Sequence, residues 1–138
     1  MLRGLTTVNY WTDDLEAATR WYTEVLSVEP YFAGAGGGYR EFRIGDYQHE
    51  FGLVDRRYQP EGVTAGPGGT VVYWHVDDVE AAVDRLVGLG ARLHEAPVDR
   101  GEGFVTATVI DPFGNIVGVM YNPHYLDVLA RTGRAAAN

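Results

Sequence analysis

The sequence writes the same opening twice. "WTDDLEAATRWYTEVL" runs from Trp11 to Leu26 and "HVDDVEAAVDRLVGLG" from His75 to Gly90, offset by 64 residues. Under that offset Asp13 falls on Asp77, Asp14 on Asp78, Glu16 on Glu80, Ala17 on Ala81 and Ala18 on Ala82. A chain of 138 residues that repeats itself at this spacing is built from two copies of one module. Each copy reads as a strand followed by a helix. Asp13 and Asp77 suit the N-cap, since a carboxylate there accepts from the free amides of the first turn. Glu16 and Glu80 stand three residues on, where a capping-box partner belongs. Leu15, Ala18, Tyr22 and Val25 share one face of the first helix. Val79, Ala82, Val83, Leu86 and Leu89 do so in the second, with Gly90 as a stop.

Three β-like runs follow each helix. They are Val28–Phe32, Tyr39–Ile44 and Tyr47–Val54 in the first half, then Arg92–Val98, Phe104–Ile110 and Asn115–Tyr121 in the second. Turn signals separate them, notably "GAGGG" at 34–38, "GD" at 45–46, "DRGEG" at 99–103 and "DPFGN" at 111–115. The expected organisation is a βαβββ module over 1–54, a Gly/Pro-rich linker over 55–69 and a second βαβββ module over 70–121. A tail over 122–138 holds a short helix near Tyr125–Arg131 and ends in a mobile stretch. The fold class is α+β. Two tandem βαβββ modules form a curved eight-stranded, incompletely closed barrel-like sheet around a shared concave site, with the helices outside.

Composition narrows the function classes. The net charge of −8 argues against nucleic acid, whose phosphates demand a basic face. No apolar run approaches membrane-spanning length, and the N-terminus lacks the apolar core of a signal peptide. A cytoplasmic location is expected. With no cysteine, disulfides, thiolate metal sites and thiol catalysis are closed. The glycine runs at 34–38 and 66–69 are not phosphate loops, because neither opens a helix nor precedes the required lysine.

"DDLEAATRWYTEVL", "VDDVEAAVDRLVGLGA" and "DPFGNIVGVM" together resemble the vicinal oxygen chelate superfamily, which includes glyoxalase I, extradiol dioxygenases and bleomycin-resistance proteins. The resemblance spans about residues 3–121. It implies the glyoxalase/bleomycin-resistance fold and a homodimer. It also implies four metal-ligand positions, which the family fills with His and Glu. These fall here on Thr7, Gly52, Val71 and Gly118, none of which supplies imidazole or carboxylate. No metal and no other cofactor is therefore expected.

Strand alternation extends the site from those positions. Thr7, Asn9 and Trp11 share one face, as do Gln48, Glu50, Gly52 and Val54. So do Val71, Tyr73 and His75, and likewise Ile116, Gly118 and Met120. The opposite parity is apolar, as a face under helices should be: Val8, Tyr10, Phe51, Leu53, Val72, Trp74, Val76, Val117 and Val119. Trp11 and Tyr73 can stack on a planar ligand. Gly52 and Gly118 either let a ring approach backbone or mark bulges. Glu50 can meet a cationic group or act as a base, or be an ordinary strand-end carboxylate bonded to Asn9. His75 can move a proton or serve as a structural hydrogen-bond partner beside the helix cap. His49 reads as structural, and His94 and His124 join no site. Either Arg40 or Arg43 shares the face of Glu50.

Two functions are consistent with these residues. One is a metal-independent protein that binds a small apolar or aromatic molecule, for example by sequestering a natural product or antibiotic. The other is an enzyme of the superfamily, a lyase, isomerase or dioxygenase, either metal-free with Glu50 or His75 as general base or, as the lesser alternative, metal-dependent. An interaction module is a third alternative.

Overall fold

A computed structural model describes residues 1–133. It divides into two compact units, Met1–Val63 and a second beginning at Thr64. The C-terminal part of the tail expected to be mobile lies outside the described residues.

The first unit contains β1 (Thr7–Thr12), α1 (Leu15–Leu26), β2 (Phe32–Ala33), β3 (Tyr39–Ile44) and β4 (His49–Asp55), then a 3-10 turn at Arg56–Tyr58. The second contains β5 (Val72–His75), α2 (Val79–Gly88), β6 (Arg92–Gly101), β7 (Phe104–Ile110), β8 (Ile116–Tyr121) and α3 (Pro123–Thr132). Each unit forms one open four-stranded mixed sheet, ordered β1-β4-β3-β2 and β5-β8-β7-β6. The first strand of each module pairs parallel with the last, and the other pairs are antiparallel. The class is α+β without a closed barrel, as the repeat implies.

Both helices start one residue later than expected. Asp14, not Asp13, caps α1 by accepting from the Ala17 amide at 2.9 Å, and Asp78, not Asp77, caps α2 through Ala81 at 3.0 Å. In the first module the buried Thr12 hydroxyl supports this arrangement by accepting from the Asp14 N–H at 3.0 Å. Glu16 and Glu80 then occupy the second helical position rather than the third, so neither completes a capping box. Asp13 pairs with Arg56 at 3.0 Å and Glu16 with Arg40 at 2.8 Å.

The strand expected over Val28–Phe32 shrinks to Phe32–Ala33. Pro30 has no amide to donate, so pairing begins only after it, with the Tyr31 N–H reaching the Glu41 carbonyl at 2.9 Å. The strand expected from Tyr47 starts at His49, because Gln48 holds φ +54° in the preceding turn. β6 runs on to Gly101, beyond the expected end at Val98, with bulges relative to β7.

Each unit has its own core on the helix side of its sheet. In the first it is aromatic: Tyr10, Tyr22 and Phe42 surround Phe51, with ring centroids at 5.0, 4.9 and 6.0 Å from it. In the second it is aliphatic, with Val79, Val83, Leu86, Val109, Val117 and Val119 buried. Tyr22 and Leu86 are equivalent under the repeat, so the modules keep the pattern and change the filling. The "DPFGN" turn is held by its aspartate. Asp111 is 3% exposed and accepts from the amides of Phe113 at 2.9 Å and Asn115 at 2.8 Å. Gly114, at φ +93°, supplies the left-handed step that returns the chain into β8.

Candidate functional site

The sheet face away from α1 carries a polar network that was only half legible in sequence. In the parallel register Thr7 lies opposite Glu50, and the Thr7 hydroxyl donates to Glu50 Oε2 at 2.9 Å. β3 completes the face. Its pairing sets Arg43 opposite Glu50, Glu41 opposite Gly52 and Tyr39 opposite Val54, so Tyr39, Glu41 and Arg43 share the side of Glu50. Arg40 points to the other side and binds Glu16 on α1. The open choice between the two arginines resolves to Arg43, whose guanidinium lies 4.2 Å from the centre of the Tyr31 ring.

Glu41 is the residue that sequence reasoning missed. It is only 7% exposed, yet it is a carboxyl group. The Tyr31 hydroxyl donates to its Oε2 at 3.0 Å, and it shares its face of the sheet with Tyr39 and Glu50. Two carboxyl groups on adjacent strands of one face make ionising both more costly than ionising one. Burial pushes Glu41 above the ordinary glutamate range, and its bond with Glu50 adds to this against the opposing pull of the tyrosine hydroxyls. Glu50 moves the other way, held low first by the hydrogen bond from Glu41, then by Thr7, and aided by the Arg43 charge. Glu41 therefore keeps its proton to higher pH than Glu50 does. Burial and the two nearby carboxyls push the Tyr39 phenol up to about 12, so it stays a neutral donor. Extending strand parity to Tyr39–Ile44 with the correct register would have found Glu41. The sequence alone did not supply that register.

The remaining candidates of the first module take distinct places. Asn9 pairs with Gly52 and Trp11 with Val54 on the same face. A Cβ on Gly52 would collide with Asn9 Oδ1 and lie 2.7 Å from the Tyr39 ring, so these side chains occupy the space that the glycine leaves. Gln48 is not on this face: it sits in the turn, where its Nε2 donates to the Gly45 carbonyl at 3.0 Å. His49 is exposed and stacks on Tyr47 at 5.7 Å. Two half-exposed aromatics, Tyr31 at 48% and Phe32 at 49%, border the network. Phe32 pairs with Glu41 across β2 and β3.

In the second module Tyr73 lies against Gly118, where an added Cβ would come within 2.6 Å of the ring and 2.8 Å of the Val72 carbonyl oxygen. Val71 is half-buried just before β5, and Ile116 and Met120 pair with Ile110 and Thr106. His75 is engaged at both ring nitrogens. Nδ1 accepts from the Asn122 amide at 3.1 Å, and Nε2 lies 3.4 Å from Asp77 Oδ1. Its ring stacks on Tyr125 at 4.7 Å with only 10° between planes. This arrangement ties the end of β5 to the start of α3. An open depression of about 300 Å³ beside it is bordered by Asp77, Asp78 and Glu80, carboxylates of the α2 N-terminus. His94 Nδ1 meets the Thr108 hydroxyl at 2.9 Å.

The donor set does not fit a divalent ion at the family's positions. Thr7, Gly52, Val71 and Gly118 offer no imidazole or carboxylate, and neighbouring side chains crowd both glycines. Among the described residues no group of three or more His, Cys, Asp or Glu side chains is placed to hold a metal. No helix among them is long and apolar enough to cross a membrane.

Comparison with known proteins agrees with this architecture. The model of the Glyoxalase/Bleomycin resistance protein/Dioxygenase superfamily matches residues 4–119. A glyoxalase-related enzyme from Fulvimarina pelagi is similar at 23% identity and TM-score 0.72, covering 88% of this chain and 90% of that one. A lactoylglutathione lyase from Agrobacterium tumefaciens is similar at 21% identity and TM-score 0.68, covering 91% and 98%. A superfamily member from Sphaerobacter thermophilus gives 18% identity and TM-score 0.71, covering 88% and 98%. At these identities the likeness establishes the fold and leaves the reaction open. No curated protein is significantly similar to the chain. The repeat, the two sheets and the match across both modules place this protein in the Glyoxalase/Bleomycin resistance protein/Dioxygenase superfamily.

Proposed function

We propose that the protein binds a small aromatic molecule without a metal, on the face of the first sheet that carries Glu50. The observation that carries this reading is the combination on that face. Half-exposed rings at Tyr31 and Phe32 border a network in which Glu50 is ionised, Tyr39 neutral and Arg43 stacked. The rings supply contact area, while the fixed polar groups orient a guest. Glu50 faces a cationic group of the ligand. Sequestration of a natural product or antibiotic is the biological form of this activity, in a cytoplasmic homodimer.

Trp11 lies on this face and reports occupancy by fluorescence. Titration with neutral planar probes such as 2-naphthol and cationic ones such as benzamidine should shift its emission for at least one probe. No change with any of them defeats the reading. Metal analysis of the purified protein tests metal independence, and stoichiometric zinc, nickel or iron would overturn it.

A second reading is a metal-free enzyme of the superfamily with Glu50 as general base. It is favoured by the place of Glu50, a half-buried carboxylate bordered by the Tyr31 and Phe32 rings. Under this reading Glu50→Gln abolishes turnover and spares binding; undiminished turnover removes Glu50 from the mechanism. His75 is less suited to that role, because both its ring nitrogens already have partners.

A further inference from the structure

We propose that His75 is a proton-operated latch on α3: the neutral ring pins the start of this helix to the end of β5, and protonation of the ring releases it. The proposal concerns the second module and is independent of the binding reading above.

The junction makes several demands on one imidazole. The Asn122 backbone N–H can only donate, so Nδ1, which accepts from it at 3.1 Å, must be bare. The proton of the neutral ring then sits on Nε2, which faces Asp77 Oδ1 at 3.4 Å. Asn122 is at the same time the N-cap of α3, its Oδ1 accepting from the Tyr125 amide at 3.2 Å. One residue thus joins His75 by its main chain and the helix by its side chain. Tyr125, on the first turn of α3, lies against the His75 ring at 4.7 Å and 10° from parallel. Beyond that turn the hold is slight, because no residue of Pro123–Thr132 is buried.

Protonation removes the acceptor. An imidazolium carries a proton on each nitrogen, so Nδ1–H would point at the Asn122 N–H, donor against donor. The His75 side chain is only 10% exposed, so the new N–H has little water to bond where the ring stands. The titratable groups on the elements around the ring are Asp77, Asp78 and Glu80 at the start of α2, Tyr121 on β8, and His124 and Tyr125 on α3. Asp78 is committed to the Ala81 amide. Asp77 favours a charged ring, but its side chain is 93% exposed and such a pair is weak. It also acts at Nε2 and offers nothing to Nδ1. The Tyr125 face favours a cation too, but only while the ring stays parallel to it, in the position that sets Nδ1–H against the amide. Turning the ring to find an acceptor breaks that stack. Both ties to α3 therefore loosen together.

Nuclear magnetic resonance of the full native chain reads each step. The ¹⁵N signals of the His75 ring should place its proton on Nε2 at neutral pH. As the ring charges on acidification, the Asn122 and Tyr125 amides should lose protection against hydrogen exchange by about tenfold, measured against an unfolded amide at the same pH. That factor corresponds to one net hydrogen bond. Amides of the β7–β8 ladder should keep their protection, which separates release of α3 from acid unfolding. His75→Asn sets an Oδ1 acceptor as many bonds from the backbone as Nδ1 and does not titrate. In that variant the same two amides should stay protected across the range. A ring proton on Nδ1 at neutral pH overturns the proposal. So does unchanged protection of Asn122 once His75 is charged, simultaneous loss in the β7–β8 ladder, or the same acid loss in His75→Asn. Should that variant not fold, the native-chain readings decide alone.

Discussion

Two glycines at equivalent places in the modules should respond differently to the same added methyl group. Gly118→Ala puts a Cβ 2.8 Å from the Val72 carbonyl oxygen and 2.6 Å from Tyr73 Cδ1. The Tyr73 ring is 40% exposed and can swing away. The carbonyl cannot, because it belongs to β5, hydrogen-bonded to β8 in parallel register. Relief requires a strand to move by several tenths of an ångström, and such overpacking costs about 2 to 3 kcal/mol. Lower entropy of the unfolded chain returns about 0.4 to 1 kcal/mol, leaving a net loss of about 1 to 2.5 kcal/mol. The melting temperature should fall by roughly 4 to 10 °C.

At Gly52 the added atom meets only the far ends of Asn9 and Tyr39. Both can rotate, so Gly52→Ala should change stability by less than about 1 kcal/mol. It should nevertheless displace Tyr39 from Glu41. Urea unfolding followed by tryptophan fluorescence compares the two variants with the parent. A Gly118→Ala protein as stable as the parent, or a Gly52→Ala protein less stable than Gly118→Ala, would refute the distinction between yielding side chains and an unyielding backbone.

Asp111→Ala strips the buried acceptor from the β7–β8 turn and should cost about 2 to 3 kcal/mol, measured by urea unfolding. Asp14→Ala removes a helix cap and should lose about 1 kcal/mol, whereas Asp13→Ala breaks only an exposed ion pair and should lose less; equal losses would contradict the assignment of the cap. The carboxyl pair predicts two opposite pH limbs. Glu41, raised in the folded state, contributes stability that is full below the ordinary glutamate value and is lost as pH rises through its folded value. Glu50, lowered in the folded state, contributes stability present above the ordinary value and lost as pH falls through its folded one. Unfolding free energies measured across pH in Glu41→Gln should lack the first limb, and persistence of that limb would assign it to another group.

The sequence was explicit wherever the physical cause is local. Hydrophobic spacing fixed which faces of the two helices are buried. Alternation correctly separated the apolar set, Tyr10, Phe51, Leu53, Val117 and Val119, from its opposite. The runs Tyr39–Ile44 and Phe104–Ile110 coincide with β3 and β7 because sharp turn residues bound both. Where local signals competed, the reading slipped. Two adjacent aspartates each suited a cap, and only the folded backbone shows that the second of each pair, Asp14 and Asp78, takes it. Pro30, set within an otherwise β-like run, delays strand pairing to Tyr31 and beyond.

The candidate site divides along the same line. Alternation within one strand was enough to gather Thr7, Asn9, Trp11, Glu50 and Gly52 onto one face. It could not say which residues of β3 lie beside Glu50, since that depends on a pairing register fixed by packing on both sides of the sheet. That register alone separates Arg43 from Arg40, brings Glu41 to Glu50 and sets Asn9 and Tyr39 over Gly52. Burial then orders the two acids, as an enclosed carboxyl next to another holds its proton to higher pH. The chain's own pattern thus determined the repeated module and the faces of its strands. Cross-strand contact and exclusion of water, which exist only once the sheet is assembled, determined which acid gives up its proton first.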